Sequence, residues 1–443
     1  MNLHLRVMLK IIFLFPFLIG VAGFLPAFDY HLPNAMYASI NLYMLNMPIG
    51  IEVTPILEVA RWSAALAVAS GFFIVVRSAG AALLNFFRGF SSESCAVYGD
   101  SFYARHFLKV LGRHGLTSPS DKPISIAQRH ILLFDTDEEN LKFYAKHMSI
   151  LRNKKVYLLL NEMSPYSLSA PNLHVFNMAE HCARLYWKEN PAKDGDKIAI
   201  IGFGSLGQKM LMYGLLLNIF SPNQCIEYHI WGENSDFRYH GLHFIKMDKI
   251  RFRGKNDEYL QEKDFTRFIF CADDTIQNLT CLSYAASMTC CKVLHVYTDS
   301  AELITPFSAC CEARIVSFGT AESMFTHKII FEESLLCDAK ALHNEYMKKH
   351  QNIPPWEDLS GFFKRSNVSS ADYREVLEFL KATHSPEVLA ELEHIRWCRF
   401  HYLHNWTYAE IRNDERREHN LLLPYSELSE EEKQKCRDIV NMV

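Results

Sequence analysis

Lys197-Ile-Ala-Ile-Ile-Gly202-Phe-Gly204-Ser-Leu-Gly207-Gln208 is the stretch that decides the fold. Residues typical of a buried strand lead directly into the pattern Gly-x-Gly-x-x-Gly, and an apolar helical pattern follows. The first glycine permits the sharp bend, the second lets a pyrophosphate approach the backbone, and the third lets the helix pack close to the strand. The helix N-terminus offers free N–H groups to an anion. We therefore expect a Rossmann-type unit whose nucleotide contacts come from Gly202, Gly204, Ser205, Leu206 and Gly207.

Two acidic residues extend this candidate nucleotide site. The next strand is expected over Ile226 to Glu233, but Gly232 occupies the position where a ribose-binding acid is expected, and Glu233 comes one residue later. Asp273 follows the later strand Arg267 to Cys271, and ligands of open α/β sheets bind at such carboxyl ends. The alternative for Asp273 is the capping of the helix that starts near Ile276. The expected ligand is NAD or another adenine nucleotide, and no metal site is predicted.

A second, earlier unit of the same kind spans residues 94–190. Its short strand Cys95 to Gly99 leads into a degenerate turn, since Ser101 and Ala104 stand where glycines are expected. Asp135 ends a later strand and could contact a ribose or cap the following helix. Because the glycines are missing, we expect this unit to be structural and free of ligand.

The N-terminal residues predict two membrane spans. Ile11 to Phe28 is uncharged and would span about 27 Å as a helix. Ile56 to Val76 carries only Glu58 and Arg61, which could pair on one helix face. A cleaved signal peptide is the alternative for the first stretch, but the second stretch argues against it. Because basic residues flank both spans and none lies between them, we expect both ends of the chain in the cytoplasm.

The segment between the two spans predicts a short amphipathic helix over Asn34 to Leu45. Asn46 is a suitable end for it, and Pro48 cannot continue it. Such a helix is either re-entrant, as in tetrameric cation channels, or lies at the outer interface with Tyr37 and Tyr43 as anchors. The sequence favours neither placement.

Composition excludes several other classes of protein. The 443 residues carry a formal net charge of −4, and no basic stripe indicates nucleic-acid binding. The twelve cysteines include no CxxC pattern, so neither a zinc site nor a disulfide framework is suggested. Length alone predicts two or three domains.

Two Rossmann-like units behind a two-span segment resemble the regulator-of-potassium-conductance arrangement, also named KTN or Trk-type NAD-binding. The resemblance rests on Gly202 to Gly207, on Asp273-Asp274 at a strand end and on the doubled unit. It implies a protein that binds nucleotides or ions and gates an attached pore or transporter. The degenerate first turn and the displaced acid depart from that pattern and put the choice of ligand in doubt.

The C-terminal residues carry a second resemblance. The pattern is Leu389-Ala-Glu-Leu-Glu-His394-x-x-Trp397, Trp406-x-Tyr408, His419, Leu423-Pro-Tyr425 and Leu428. It resembles a ryanodine-receptor repeat (RyR) domain, although Asn405 and Ala409 stand where that family often has glycine. The resemblance implies a ligand-sensing or interaction module. Tryptophan and tyrosine faces could stack on a base and an arginine could bind phosphate, whereas the alternative is that both tryptophans only form a small core. The candidate ligand-binding residues are Trp397, Trp406, Tyr408, Arg412, His419 and Tyr425.

The sequence thus predicts an α/β protein with N-terminal transmembrane helices, two Rossmann-like parallel-sheet units and a small, mainly helical RyR-type domain. The expected boundaries are 1–90 for the membrane hairpin, 94–190 and 195–340 for the two units, and 350–443 for the last domain. We expect a multi-pass protein of the cytoplasmic membrane that is not an enzyme. It would be a nucleotide-gated ion channel or pore and a homo-oligomer, with a tetramer favoured and, by analogy, a role in anti-phage defence. The alternatives are a membrane-anchored NAD-dependent oxidoreductase and a regulatory subunit of a separate cation transporter.

Overall fold

The computed structural model describes residues 3–117, 122–166, 168, 170–232, 240–254, 264–288, 293–309, 312–349 and 353–441. The chain divides into two compact units, residues 1–90 and 91–443, and each is described by itself.

The first unit is a helical hairpin with a short helix between its arms. Its elements are α1 (Leu3–Phe24), α2 (Leu32–Tyr43) and α3 (Pro55–Gly89). Ala35, Ala38 and Leu42 of α2 are buried in one cluster with residues of α1 and α3. The Arg61 guanidinium donates to both carboxylate oxygens of Glu58 at 2.9 Å, which confirms the predicted pairing on one helix face.

The described residues of the predicted membrane hairpin include one stretch with the length and composition of a span. Within the described residues, Pro55–Phe73 is one helical stretch long and apolar enough to cross a bilayer, and the apolar stretch Phe13–Phe24 is shorter. The first helix ends at Phe24 and Pro26–Phe28 forms a 3-10 turn, so the helix ends four residues before the predicted end of the span at Phe28.

The second unit begins with a parallel five-stranded sheet in the order β2-β1-β3-β4-β5, counted over the described residues. This order places the topological switch point between β1 and β3. The elements of this part are β1 (Cys95–Tyr98), α4 (Phe102–Leu111), β2 (Gly115–Thr117), β3 (Arg129–Leu132), α5 (Asp137–Leu151), β4 (Lys155–Leu159), β5 (Leu173–Phe176) and α6 (Met178–Glu189).

A parallel six-stranded sheet follows in the order β11-β10-β9-β6-β7-β8. Numbered from its own first strand, this is the order 3-2-1-4-5-6 of dinucleotide-binding Rossmann folds, read from the opposite edge. The two parallel sheets confirm the predicted α/β units. The elements are β6 (Lys197–Ile201), α7 (Ser205–Leu217), β7 (Glu227–Trp231), β8 (Lys249–Arg253), β9 (Arg267–Phe270), α8 (Thr275–Met288), β10 (Val293–Tyr297), α9 (Thr305–Ser308), β11 (Arg314–Phe318), α10 (Ala321–Met324) and α11 (His327–Ile330).

The C-terminal part is mainly helical, as predicted. It contains α12 (Ser334–Lys349), α13 (Gly361–Leu380), α14 (Pro386–Leu403), the short parallel pair β12 (Thr407–Tyr408) and β13 (Glu418–His419), and α15 (Glu430–Asn441).

This part shares a hydrophobic core with both sheets and is not set apart by a linker. Leu389 and Phe400 of α14 belong to the same buried cluster as Ile198 of β6 and Ile131 of β3. A buried ion pair adds to this packing, since the Arg399 guanidinium donates to the Asp248 carboxylate at 2.7 Å and to the Leu215 carbonyl at 2.9 Å. The Pro354-Pro355 segment therefore connects packed helices.

Candidate functional site

The glycine loop after β6 has the shape that its sequence predicts. Gly202 has a φ of +100°, and a Cβ atom there would lie 2.4 Å from the Ala272 backbone nitrogen. A Cβ atom at Gly207 would lie 2.1 Å from the Gly202 carbonyl oxygen, which shows how closely α7 packs on the strand. Gly202 therefore provides the bend and Gly207 the close packing that a Rossmann loop needs.

The anion position of this loop is filled by the chain itself. The Asp273 carboxylate accepts hydrogen bonds from the Ser205 N–H at 3.1 Å and from the Leu206 N–H at 3.2 Å. A Cβ atom at Gly204 would lie 1.9 Å from Asp273 Oδ2, so the space beside this glycine is taken by the carboxylate. The two amides that would bind a phosphate instead bind an aspartate, whose negative charge suits the helix N-terminus equally well.

Asp273 does not cap the helix that follows it, which was the alternative to its predicted nucleotide contact. It caps α7, which lies far from it in sequence, whereas the helix that follows it is capped by Asp274, which accepts from the Ile276 N–H at 3.0 Å. Asp273 thus bonds the glycine loop itself in this structure. Nucleotide binding by the glycine loop stays a prediction, and it requires Asp273 to leave. Glu233 lies outside the described residues.

The corresponding loop of the first sheet is also capped internally. Gly99 has a φ of +100°, like Gly202. The Ser101 hydroxyl accepts from the Ala104 N–H at 3.1 Å and donates to the Leu133 carbonyl at 2.6 Å. Ser101 therefore caps α4, while the absence of a ligand at this loop stays a prediction. The predicted capping by Asp135 is wrong, because Thr136 caps α5 by accepting from the Glu139 N–H at 3.2 Å.

A cavity of about 430 Å³ lies between the C-terminal helices α12, α13 and α14 and the segment that carries β13. Its volume falls toward the lower end of the range of about 300–1,000 Å³ typical of small-molecule sites. Trp397 and His401 line it from one face of α14, one helical turn apart, and Phe362 lines it from α13. Arg412 and His419 line it from the loop after α14. This cavity is the candidate functional site.

Three of the six residues predicted for ligand binding in this part of the chain line the cavity, namely Trp397, Arg412 and His419. The other three lie elsewhere. Trp406 is buried and stacks on Phe362 with ring centroids 5.2 Å apart, Tyr408 is exposed in β12, and the buried Tyr425 donates its hydroxyl proton to Glu387 at 2.9 Å.

His401 and the α13 residue Phe362 are cavity residues that sequence reasoning missed. The position of His401 one turn after Trp397 was the available signal, since both side chains then share a helix face. No comparable signal pointed to Phe362, because only tertiary packing places α13 against this part of α14.

The permanently charged side chains that line the cavity in the described part of the chain are arginines. Among the described residues, no aspartate or glutamate lines it, whereas Arg396, Arg412 and three histidines do. The Arg396 guanidinium is fully buried and neutralised, because it donates to the Glu393 carboxylate at 2.7 and 2.8 Å. Arg412 is bonded to Asp414 at 2.6 and 3.1 Å, and its hydrogen bonds lower the pKa of that carboxyl group. Because the latter pair is exposed, a ligand phosphate can exchange for the aspartate at little cost.

Comparison with known proteins identifies one part of the chain. Residues 381–443 match the RyR domain family, which confirms the predicted resemblance over this segment. No curated protein matches the chain. A solved structure described as the crystal structure of GsuK bound to ADP is similar over 75% of this chain and 98% of its own, with 12% sequence identity and a TM-score of 0.38. A likeness of this degree carries no argument about function.

Proposed function

We propose that this protein is a nucleotide-responsive membrane effector. Its sensing site is the cavity formed by α12 to α14 and the loop of Arg412, and its effector is the N-terminal helical hairpin, which controls the passage of ions. The observation that carries this proposal is the lining of the cavity, where a tryptophan face and an exposed arginine occur together and no acidic side chain is present among the described residues.

The chemistry of this lining suits a nucleotide. Trp397 offers a flat, half-buried ring on which a base can stack. Arg412 offers a planar guanidinium that can bind a phosphate group with two parallel hydrogen bonds. At the glycine loop a phosphate must displace the Asp273 carboxylate from two backbone amides, as it must displace Asp414 from Arg412 in the cavity.

The exposed surface of the first unit supports a place in the membrane. Large apolar side chains are exposed along both long helices of the hairpin, and in a water-soluble protein such a surface needs a covering partner. Those with at least half of their surface exposed include Leu14 and Leu18 of α1 and Trp62, Leu66, Phe72 and Phe73 of α3. A hydrocarbon layer covers such a surface without any further protein.

The long helix α3 provides the covalent route from sensor to effector. At 35 residues it is about 52 Å long, which exceeds the hydrocarbon thickness of about 30 Å. One continuous helix therefore contains the candidate span and leads directly to the start of the second unit. Two spans cannot enclose an aqueous path, so the proposal includes a homo-oligomer, with a tetramer favoured.

Reconstitution in liposomes tests the proposal. The full-length protein is expected to change its ion flux when an adenine nucleotide is added on the side of the second unit. Arg412→Gln is expected to shift the response to higher nucleotide concentration, while Arg416→Gln, in the same loop but outside the cavity, leaves it unchanged. Flux that does not respond to nucleotides in the unmodified protein contradicts the channel proposal.

A further inference from the structure

We propose that the cavity recognises the edge of an adenine-type ring through a hydrogen-bond donor on His419 and an acceptor on His401. This inference rests on the proposed function and specifies its ligand. The two histidines, which both contact Trp397 on the cavity wall, form a recognition group that we call the imidazole pair.

The hydrogen bonds of His419 determine which of its nitrogens carries the proton. The Leu421 N–H donates to His419 Nδ1 at 3.1 Å, so Nδ1 holds a lone pair. Burial, together with a smaller effect of the nearby Arg412, lowers the pKa of His419 to about 4, so the ring is neutral at pH 7. A neutral imidazole has one N–H group, and here it must be Nε2–H. His419 therefore presents a donor at Nε2.

His401 has the opposite arrangement. Its Nδ1 lies 2.8 Å from the Trp397 carbonyl oxygen, which can only accept, so Nδ1 carries the proton. Burial lowers the pKa of His401 to about 3, and the bond to the carbonyl offsets only part of this effect. The neutral ring then has a bare Nε2. His401 therefore presents an acceptor where His419 presents a donor.

The two rings are close enough to serve one ligand. Their centroids lie 5.6 Å apart with an angle of 74° between the ring planes. The Trp397 ring lies 3.9 Å from His401 and 5.0 Å from His419, centroid to centroid. Within the described part of the chain, neither Nε2 atom has a hydrogen-bond partner. Both atoms can therefore form hydrogen bonds to a ligand in the cavity.

A hydrogen-bond donor on His419 beside an acceptor on His401 discriminates between purine bases. Adenine presents a ring nitrogen that accepts and an amino group that donates, side by side. Hypoxanthine has a carbonyl oxygen in place of the amino group, so it offers two acceptors on one edge and the reversed order on the other. Turning the ring to restore the match would move the attached phosphate away from Arg412. The imidazole pair and Arg412 together fix both the base and its direction.

The test compares adenosine and inosine monophosphates by calorimetry with the full-length protein in detergent. We expect the adenine nucleotide to bind at least about tenfold more tightly, because the hypoxanthine ring leaves buried polar groups unpaired. Arg412→Gln is expected to weaken both nucleotides by a similar factor, since it removes a phosphate contact. His419→Ala is expected to weaken the binding of the adenine nucleotide and to reduce the preference for it. His419→Gln is expected to restore part of this preference, because its amide can accept from the Leu421 N–H and donate to the ligand. Arg416→Gln is the matched control and changes neither affinity.

The outcomes separate this inference from the proposed function. Equal affinity for the two nucleotides, with both weakened by Arg412→Gln, overturns the role of the imidazole pair and leaves the nucleotide-sensing proposal in place. If His419→Ala does not fold, the affinities of both nucleotides for the unmodified protein and for Arg412→Gln still decide between these outcomes. Absence of binding by either nucleotide to the unmodified protein overturns both.

Discussion

The Asp273 carboxylate lies where the first amides of α7 would otherwise meet a phosphate group. This single side chain accepts hydrogen bonds from the two loop amides that a phosphate would otherwise use. The absence of a side chain at Gly204 is explained by the same contact, since a Cβ atom there would overlap the carboxylate. A glycine pattern that normally indicates a cofactor here accommodates an acid from the neighbouring strand.

Replacement of Asp273 by alanine is expected to destabilise the protein by about 1 kcal/mol, the usual cost of a lost helix cap. Asp273→Asn should cost less, because the amide oxygen still accepts a hydrogen bond. Thermal unfolding of the full-length protein in detergent measures the difference. Asp100→Ala, which removes an exposed carboxylate beside the first sheet's loop, is the control and should leave the unfolding temperature unchanged.

Gly204→Ala tests the same contact from the other side. A Cβ atom 1.9 Å from Asp273 Oδ2 must push the carboxylate off the two amides, so this variant should lose about as much stability as Asp273→Ala. In the Asp273→Ala background the added methyl group meets no carboxylate and should cost little. A double-mutant cycle from unfolding measurements checks this, and strictly additive losses would contradict the steric explanation.

At the scale of elements, α14 lines the cavity with one face and packs into the core with another. Trp397 and His401 line the cavity, while Arg399 points into the core and bonds to Asp248 and to the end of α7. Both members of this ion pair are almost fully buried, and such pairs are costly to leave incomplete. The helix therefore holds the cavity wall at a fixed position on the second sheet.

Arg399→Met is expected to destabilise the protein by about 3–5 kcal/mol, because it leaves the buried Asp248 carboxylate without its counterion. Combining it with Asp248→Leu should recover a large part of this loss. Urea unfolding monitored by tryptophan fluorescence provides the measurement. Arg314→Met, at an exposed position, serves as the control and should change stability by less than about 0.5 kcal/mol.

The sequence predicted the central strands of both sheets but missed four at or near the edges. Runs of apolar residues revealed β1, β3, β4, β6, β7, β9 and β10. By contrast, β2 has three residues, the Lys249–Arg253 strand alternates basic and apolar residues on an exposed edge, and neither Leu173–Phe176 nor Arg314–Phe318 has a continuous buried run. Edge strands need no apolar residues on both faces, so hydrophobicity alone does not reveal them.

The candidate site was only partly predictable, because local sequence patterns do not specify tertiary contacts. Trp397, Arg412 and His419 lie within a pattern that is recognisable along the chain. The occupancy of the glycine loop by Asp273 was not predictable, because it joins residues of two different strand–helix connections. Contacts of this kind depend on strand order, which local patterns do not specify.

At the scale of the whole molecule, buried histidines link stability to pH. Burial lowers the pKa of His181, His295, His401 and His404 to about 3 and that of His130 to about 4. In the unfolded chain these groups titrate near 6.5. Below that pH the unfolded state binds protons that the folded state excludes, so stability falls as the pH falls.

The unfolding temperature is therefore expected to be lower at pH 5.5 than at pH 7.5. Each such histidine contributes up to about 1.4 kcal/mol per pH unit in this range. Burial would raise the pKa of Glu333, but hydrogen bonds from His174 and Lys340 outweigh it and lower the value to about 2, so the stability from this carboxylate is lost only in stronger acid. Unfolding scans across pH 5–8 measure the effect, and an unchanged temperature would contradict it.

The helix α7 is held by hydrogen bonds from other elements at both of its ends. Asp273 holds its first amides, Arg399 binds the Leu215 carbonyl in its last turn, and Tyr373 of α13 donates to the Ile219 carbonyl just beyond it at 2.6 Å. Because α7 is bonded at both ends, we expect a displacement of α13 or α14 by a ligand in the cavity to move α7 as well and to reach the junction of the two sheets, where the Ser205 hydroxyl donates to the Asn161 carbonyl.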